Sequence, residues 1–117
     1  MAAIKRTAGS AAGRSRIVEY AGLVYTVATA REKSPSMRAQ TADALARLDE
    51  NLAAAGSHKS RILTVTVYIA DMQRKAEMNE AWLAWVDPAN APQRACLGVE
   101  LEGQDLVEIV VVAAKAP

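Results

Sequence analysis

The chain has one cysteine, one histidine, no phenylalanine, and only two tryptophans and three tyrosines among its 117 residues. Each scarcity excludes something. The single Cys96 rules out an intrachain disulfide framework and a cysteine-based zinc site. The single His58 removes His-dependent triads and multi-His metal sites from one subunit. No apolar run approaches the ~18 residues that a membrane helix needs, so no membrane partner is expected. A formal net charge of +1 gives no overall basic field, so a nucleic-acid partner is not expected either. Glycine-rich phosphate loops and zinc-spaced ligands are also missing.

What is present is alanine and aliphatic bulk. Hydrophobic residues make up 51% of the chain, but 25 of them are alanine, which leaves about 35 large apolar side chains. That number builds one small core, so residues 1–117 are expected to form a single domain. The 23% of charged residues and the ordinary hydrophobicity argue for a folded chain. Residues 1–16 carry Lys5, Arg6, Arg14 and Arg16 and no acid. Ala3 to Thr7 reads as a short edge strand before a Gly/Ser/Ala turn, with an organellar transit segment as the alternative. The lone thiol suits a reducing, cytoplasmic compartment.

Periodicity supplies the elements. Residues 17–29 read as two strands around a turn at Ala21-Gly22. Ser34-Pro35-Ser36 breaks the chain and caps a helix over 37–55, where Thr41, Ala44, Leu45, Leu48 and Leu52 form one stripe. Gly56 sits at the C-terminal cap. Residues 61–70 alternate as a strand, with Leu63, Val65, Val67 and Ile69 on the dry face and Ile62, Thr64, Thr66 and Tyr68 on a mixed face. Asp71 caps a second helix, 72–86, with Met78, Ala81, Trp82 and Trp85 as its apolar stripe; Asp87-Pro88 ends it. Strands at about 93–101 and 106–114, joined around Glu102-Gly103-Gln104-Asp105, complete a β-β-α-β-α-β-β order. Two helices on one face of a mixed sheet is the simplest α+β packing of these pieces.

The last strand is apolar on both faces and holds one carboxylate, Glu108. The helices can cover one face, and a second subunit is the expected cover for the other. Glu108 is either a general acid/base or a carboxylate that reaches water or pairs with a lysine. Arg94 offers a planar fork for a carboxylate, or makes an ordinary ion pair. Whether Arg94 and Glu108 meet depends on how the last two strands pair: a hairpin about the loop need not place them opposite, and subunit packing can still join them. Cys96 shares the face of Arg94, either as a reactive thiol or as a small buried hydrophobe. Asn79 is a polar residue on the second helix, and Trp82 and Trp85 read as core or interface aromatics. His58 lies in a polar turn and reads as solvated loop.

Taken together, these residues resemble the RidA/YjgF family of small enamine/imine deaminases. The segments that carry the likeness run from Ile17 to Ala114. They are Gly22-Leu23-Val24-Tyr25, Gln40-Thr41 through Leu45-Ala46-Arg47-Leu48, and Ala55-Gly56-Ser57 with Lys59-Ser60-Arg61-Ile62-Leu63. Asp71-Met72 with Met78-Asn79 and Trp82 follow, then Pro92-Gln93-Arg94-Ala95-Cys96 with Val107-Glu108-Ile109. The resemblance implies a chorismate-mutase-like α+β fold and a homotrimeric barrel with clefts between subunits. It implies that Arg94 binds a substrate carboxylate, that Glu108 positions the attacking water, and that Asn79 and Cys96 lie near the site. The substrate is then a small imino acid and the product an oxo acid plus ammonia, with no metal or other cofactor required.

The chain also departs from the family pattern. Val27-Ala28-Thr29 stands where Ser-Gly-Gln or Ala-Gly-Gln is usual, so Val27 forms an altered substrate-binding wall. Arg14 stands near a position that is often aromatic, with Ser15 as the alternative match to a serine of some subgroups, and Val110 replaces the second glutamate of Glu-x-Glu. The loop before the first helix is short. The leading expectation is a hydrolytic deaminase of reactive enamines and 2-imino acids. The alternative is a non-catalytic small-molecule-binding or chaperone-like trimer. RNA cleavage fits the balanced charge least.

Overall fold

A computed structural model describes residues 3–117. The strands are β1 (Lys5–Ala8), β2 (Ser15–Tyr20), β3 (Leu23–Thr29), β4 (Ile62–Ile69), β5 (Gln93–Gly98) and β6 (Val107–Ala114). The helices are α1 (Met37–Ala54) and α2 (Lys75–Trp85), and short 3₁₀ turns precede β4, α2 and β5. The strands form one sheet in the order β1-β2-β3-β6-β4-β5. Every pairing is antiparallel except β4 with β5. The expected α+β architecture is therefore present, with the last strand of the chain near the centre of its sheet. Among the described residues, no helix is long and apolar enough to cross a membrane.

Local chemistry sets most boundaries where the sequence predicts them. Ala21 and Gly22 both have positive φ, 50° and 81°, as a two-residue hairpin turn between right-twisted strands requires. Ser36 Oγ accepts from the Ala39 amide at 3.0 Å and caps α1. At the other end Gly56 turns left-handed, φ 72°, while its amide reaches the Ala53 carbonyl and that of Ser57 reaches Leu52. That pair of bonds is a Schellman stop. The α1 stripe predicted from spacing is fully buried, and α2 adds Met78, Ala81 and Trp82 to the same core. Trp85 is only half-buried; its indole donates to Asp49 at 2.9 Å.

Two expectations are corrected. In β4 it is Ile62 that is buried, while Leu63 is 52% exposed. The register against β6 slips between Ile62 and Thr64, so Leu63 is an extra residue that inverts the parity of the strand before it. The last two strands also form no hairpin. β5 runs parallel to β4 after the α2 crossover, and β4 separates it from β6. A parallel neighbour needs such a crossover, and α2 provides it.

Buried polar groups hold the connections. The Gln40 side chain is fully buried, donates to the carbonyls of Ser34 and Gln104, and accepts from the Leu106 amide. It therefore ties the start of α1 to the segment that leads into β6. His58 caps the 3₁₀ turn Lys59–Arg61, with its Nδ1 accepting from the Ser60 amide at 3.1 Å. Glu19, a buried carboxylate that sequence periodicity does not flag, sits between Lys115 at 2.7 Å and Lys5 at 3.7 Å.

Two outcomes follow from these contacts. Replacing Gln40 with Ala strands three backbone groups in a dry site, and each such group costs roughly 1–3 kcal/mol. Urea titration of Gln40→Ala is expected to read a loss of about 2–4 kcal/mol; an unchanged midpoint would mean that water replaces the side chain. The hydrogen bond from Lys115 lowers the Glu19 pKa against the opposing effect of burial, and the charges of Lys115 and Lys5 lower it further. A depressed folded-state pKa contributes stability above the unfolded value, about 4.3, and that contribution disappears as pH falls through the folded value. The thermal midpoint is therefore expected to drop on acidification below about pH 4.3, with a shallower drop in Lys115→Met.

Candidate functional site

The residues singled out from sequence fall into two groups on opposite faces of the sheet. The alternation of side chains along a strand decides which group each joins. Arg94 on the edge strand β5 is in register with Val65 of β4, a core residue, so both lie on the helix side. Glu108 on β6 is in register with Tyr68 of β4 and Thr29 of β3, on the face away from the helices.

The helix-side group is built around the Arg94 guanidinium. Its Nη1 donates to Oδ1 of Asn79 at 2.8 Å and lies 3.8 Å from Sδ of Met78. The guanidinium also stands 5.4 Å from the centroid of the Trp82 ring. A neutral acceptor and an aromatic face thus hold the cation without discharging it. No carboxylate among the described residues lies within ion-pair distance of Arg94, so the ordinary surface ion pair is not what it makes. Cys96, two residues on, shares this side and packs half-buried against the core. Asn79 is no idle surface residue: it orients Arg94. Trp82 contributes more than bulk, and the sequence signal for this was its spacing, one helical turn after Met78 and within a residue of Asn79's own turn.

The second group lies at a cleft of about 190 Å³ that Glu108 and Val27 line from the other face and Arg47 of α1 lines from the helix side. Glu108, Val27, Thr29, Arg14 and Arg47 are among the residues that line it. Glu108 is half-buried, and among the described residues it has neither a lysine partner nor a hydrogen-bond donor. Arg47 comes from α1 and donates to the Thr29 carbonyl at 3.4 Å. Sequence reading names Arg47 only within the family likeness and does not place it in the cleft. No spacing in the sequence signals that place.

Around the cleft, the open face of the sheet carries apolar side chains. Tyr25, Val27, Val110 and Leu97 are 41%, 37%, 37% and 44% exposed. In one chain, then, Glu108 and Val27 come together, and Arg94, Asn79 and Cys96 come together. The sheet itself keeps the two groups apart.

Comparison with known proteins agrees with this fold. The family profile described as Endoribonuclease L-PSP matches residues 5–115. A RutC family protein of Haemophilus ducreyi is 40% identical over 102 residues, covering 86% of this chain and 87% of its own. The RutC family protein YoaB of Escherichia coli is 45% identical over 76 residues, 64% of this chain and 67% of its own. A crystal structure of a YjgF family member from Neisseria meningitidis superimposes with a TM-score of 0.93 at 33% identity, covering 98% of this chain and 97% of that one. Sequence and backbone agree along nearly the whole chain, and the protein belongs to the RidA/YjgF family.

Proposed function

We propose that this protein is a hydrolytic deaminase of 2-imino acids and their enamine forms, working as a homotrimer whose clefts join Arg94 of one protomer to Glu108 of the next. The observation that carries the reading is the pair of half-sites. Arg94 is a held cation with no anion, and Glu108 is a carboxylate with no cation, on opposite faces of one sheet. A second copy laid against the open apolar face supplies what each lacks and covers Tyr25, Val27 and Val110.

The chemistry suits these groups. A 2-imino acid has an electrophilic carbon next to a carboxylate. Arg94 binds the carboxylate through its planar fork and fixes the carbon in place, while Asn79 and the Trp82 ring keep the fork oriented. Glu108 accepts a proton from a water as the water oxygen bonds to the imine carbon. That proton passes to the nitrogen and gives a carbinolamine; Glu108 then takes the hydroxyl proton and hands it to the nitrogen, so that the carbon–nitrogen bond breaks and ammonia leaves as the carbonyl forms. Water is the only co-reactant, so the atoms balance without an oxidant or reductant. The endoribonuclease name belongs to the matching profile. A net charge of +1 gives this chain no field for a polyanion, and nucleic acid is not part of the proposal.

A coupled assay tests the reaction: an amino-acid oxidase generates the imine in situ and oxo-acid release is timed. Acceleration is expected in the wild type, none in Arg94→Ala, and a fall on the order of 10² in Glu108→Gln. No acceleration across a panel of imino acids would favour the non-catalytic binding trimer, and full activity in Arg94→Ala would overturn the site assignment. Light scattering is expected to give about three times the 12.5 kDa chain mass; a monomer mass would refute the assembly. Mixing the two impaired variants should restore part of the activity, because one interface in the mixed trimer then pairs an intact Arg94 with an intact Glu108.

A further inference from the structure

The cleft around Glu108 holds more cations than this hydrolysis needs. In the proposed reaction the substrate's own carboxylate goes to Arg94, yet Arg14, Arg16 and Arg47 also line the cleft. Their situations differ. Arg16 is committed: its Nη1 donates to Oδ1 of Asn51 at 2.6 Å, and Asn51 is held in turn by Thr26. Arg47 is half-buried and makes one long bond to a carbonyl, which leaves most of its five N–H donors unused. Arg14 is exposed on the turn between β1 and β2 and has no hydrogen-bond or ion-pair partner among the described residues.

The neighbouring acids do not neutralise this pair. Asp105 is matched by Lys33. Glu50, behind Arg47 on α1, is held by Arg31, whose hydrogen bond is the main cause of its lowered pKa; Arg47 and Arg16 act on it only through their charge. Glu102 lines the cleft but lies outside ion-pair distance of all three arginines. With Asp105 matched by Lys33, the three arginines face only Glu102 and Glu108, and the excess positive charge leaves the cleft attractive to an anion.

We propose that Arg14 and Arg47 form a second anion subsite in the Glu108 cleft and select ligands with a second carboxylate, namely dicarboxylic 2-imino acids. As a statement about substrates this rests on the hydrolytic reading above; as a statement about binding it stands on the arginines alone. The volume agrees: about 190 Å³ is below the roughly 300–1,000 Å³ of drug-sized ligand sites and suits a small metabolite. Guanidinium forks favour a planar carboxylate over an apolar side chain of the same length. Arg47, the less exposed of the two, is expected to contribute more, since solvent screens exposed charges.

The test compares two stable oxo acids of equal chain length, 2-oxopentanedioate and 2-oxopentanoate, by calorimetry at low ionic strength. The coupled assay is run in parallel on the imines of glutamate and norvaline. The wild type is expected to bind the dicarboxylate about tenfold more tightly. The ratio of the two affinities should fall toward one in Arg14→Ala, fall further in Arg14→Ala with Arg47→Ala, and recover partly in Arg14→Lys. Circular dichroism checks that each variant is folded, and Arg14→Ala, on an exposed turn, carries the test if the double variant is not. Equal affinities in the wild type overturn the subsite, even if both imines are hydrolysed. Preferential dicarboxylate binding without hydrolysis of either imine keeps the subsite and sinks the deaminase reading instead.

Discussion

Two helices can cover only one face of a six-stranded sheet, and most of this molecule follows from that limit. The covered face takes the apolar stripe of α1, the Met78 and Trp82 side of α2, and the inward residues of β3, β4 and β6. The other face receives the alternate residues of the same strands. In a chain with no phenylalanine, those residues are mostly valine, threonine and tyrosine, with Glu108 among them. A sheet with one bare apolar face is incomplete as a hydrophobic object, whatever chemistry it performs.

The same alternation sorts the chemistry-bearing residues. Arg94 and Cys96 differ by two positions and share a face; Arg94 and Glu108 sit on strands flanking β4, at positions of opposite parity. A one-residue shift in either strand would put both charges on one side of the sheet. Their separation keeps each charged group free of an internal partner. Gln40 matters here, because its bonds to Gln104 and Leu106 fix the point at which β6 begins and hence the parity of Glu108.

Features governed by local chemistry were legible in the sequence. The Ala21-Gly22 turn, the Ser36 cap, the Gly56 stop and the α1 stripe each depend on residues within one turn of each other. What depended on distant partners was not legible. The bulge at Leu63 is a mismatch between β4 and β6 that neither strand records alone. A hairpin between the last two strands is a natural reading of a short polar connection, but β4 lies between them, and neither strand records that placement alone. For the site, residue types and the family likeness named Arg94, Asn79, Cys96, Val27 and Glu108. Which of them touch was settled by strand parity and the α2 crossover, as were the place of Arg47 in the cleft and that of Trp82 beside Arg94.

The position of β6 has a consequence for how the chain is made. This strand is last in sequence yet joins the two parts of the sheet, β1–β3 on one side and β4–β5 on the other. The residues just after it are fastened too: the Lys115 amide bonds to Gly22, and that of Ala116 bonds to Gly56. During synthesis the earlier strands must wait, each with an unfilled edge, until residues 107–114 have left the ribosome. Such long-range closure is slow relative to local folding and leaves strand edges open in the meantime. The nascent chain is therefore most exposed to misassociation just before residues 107–114 emerge.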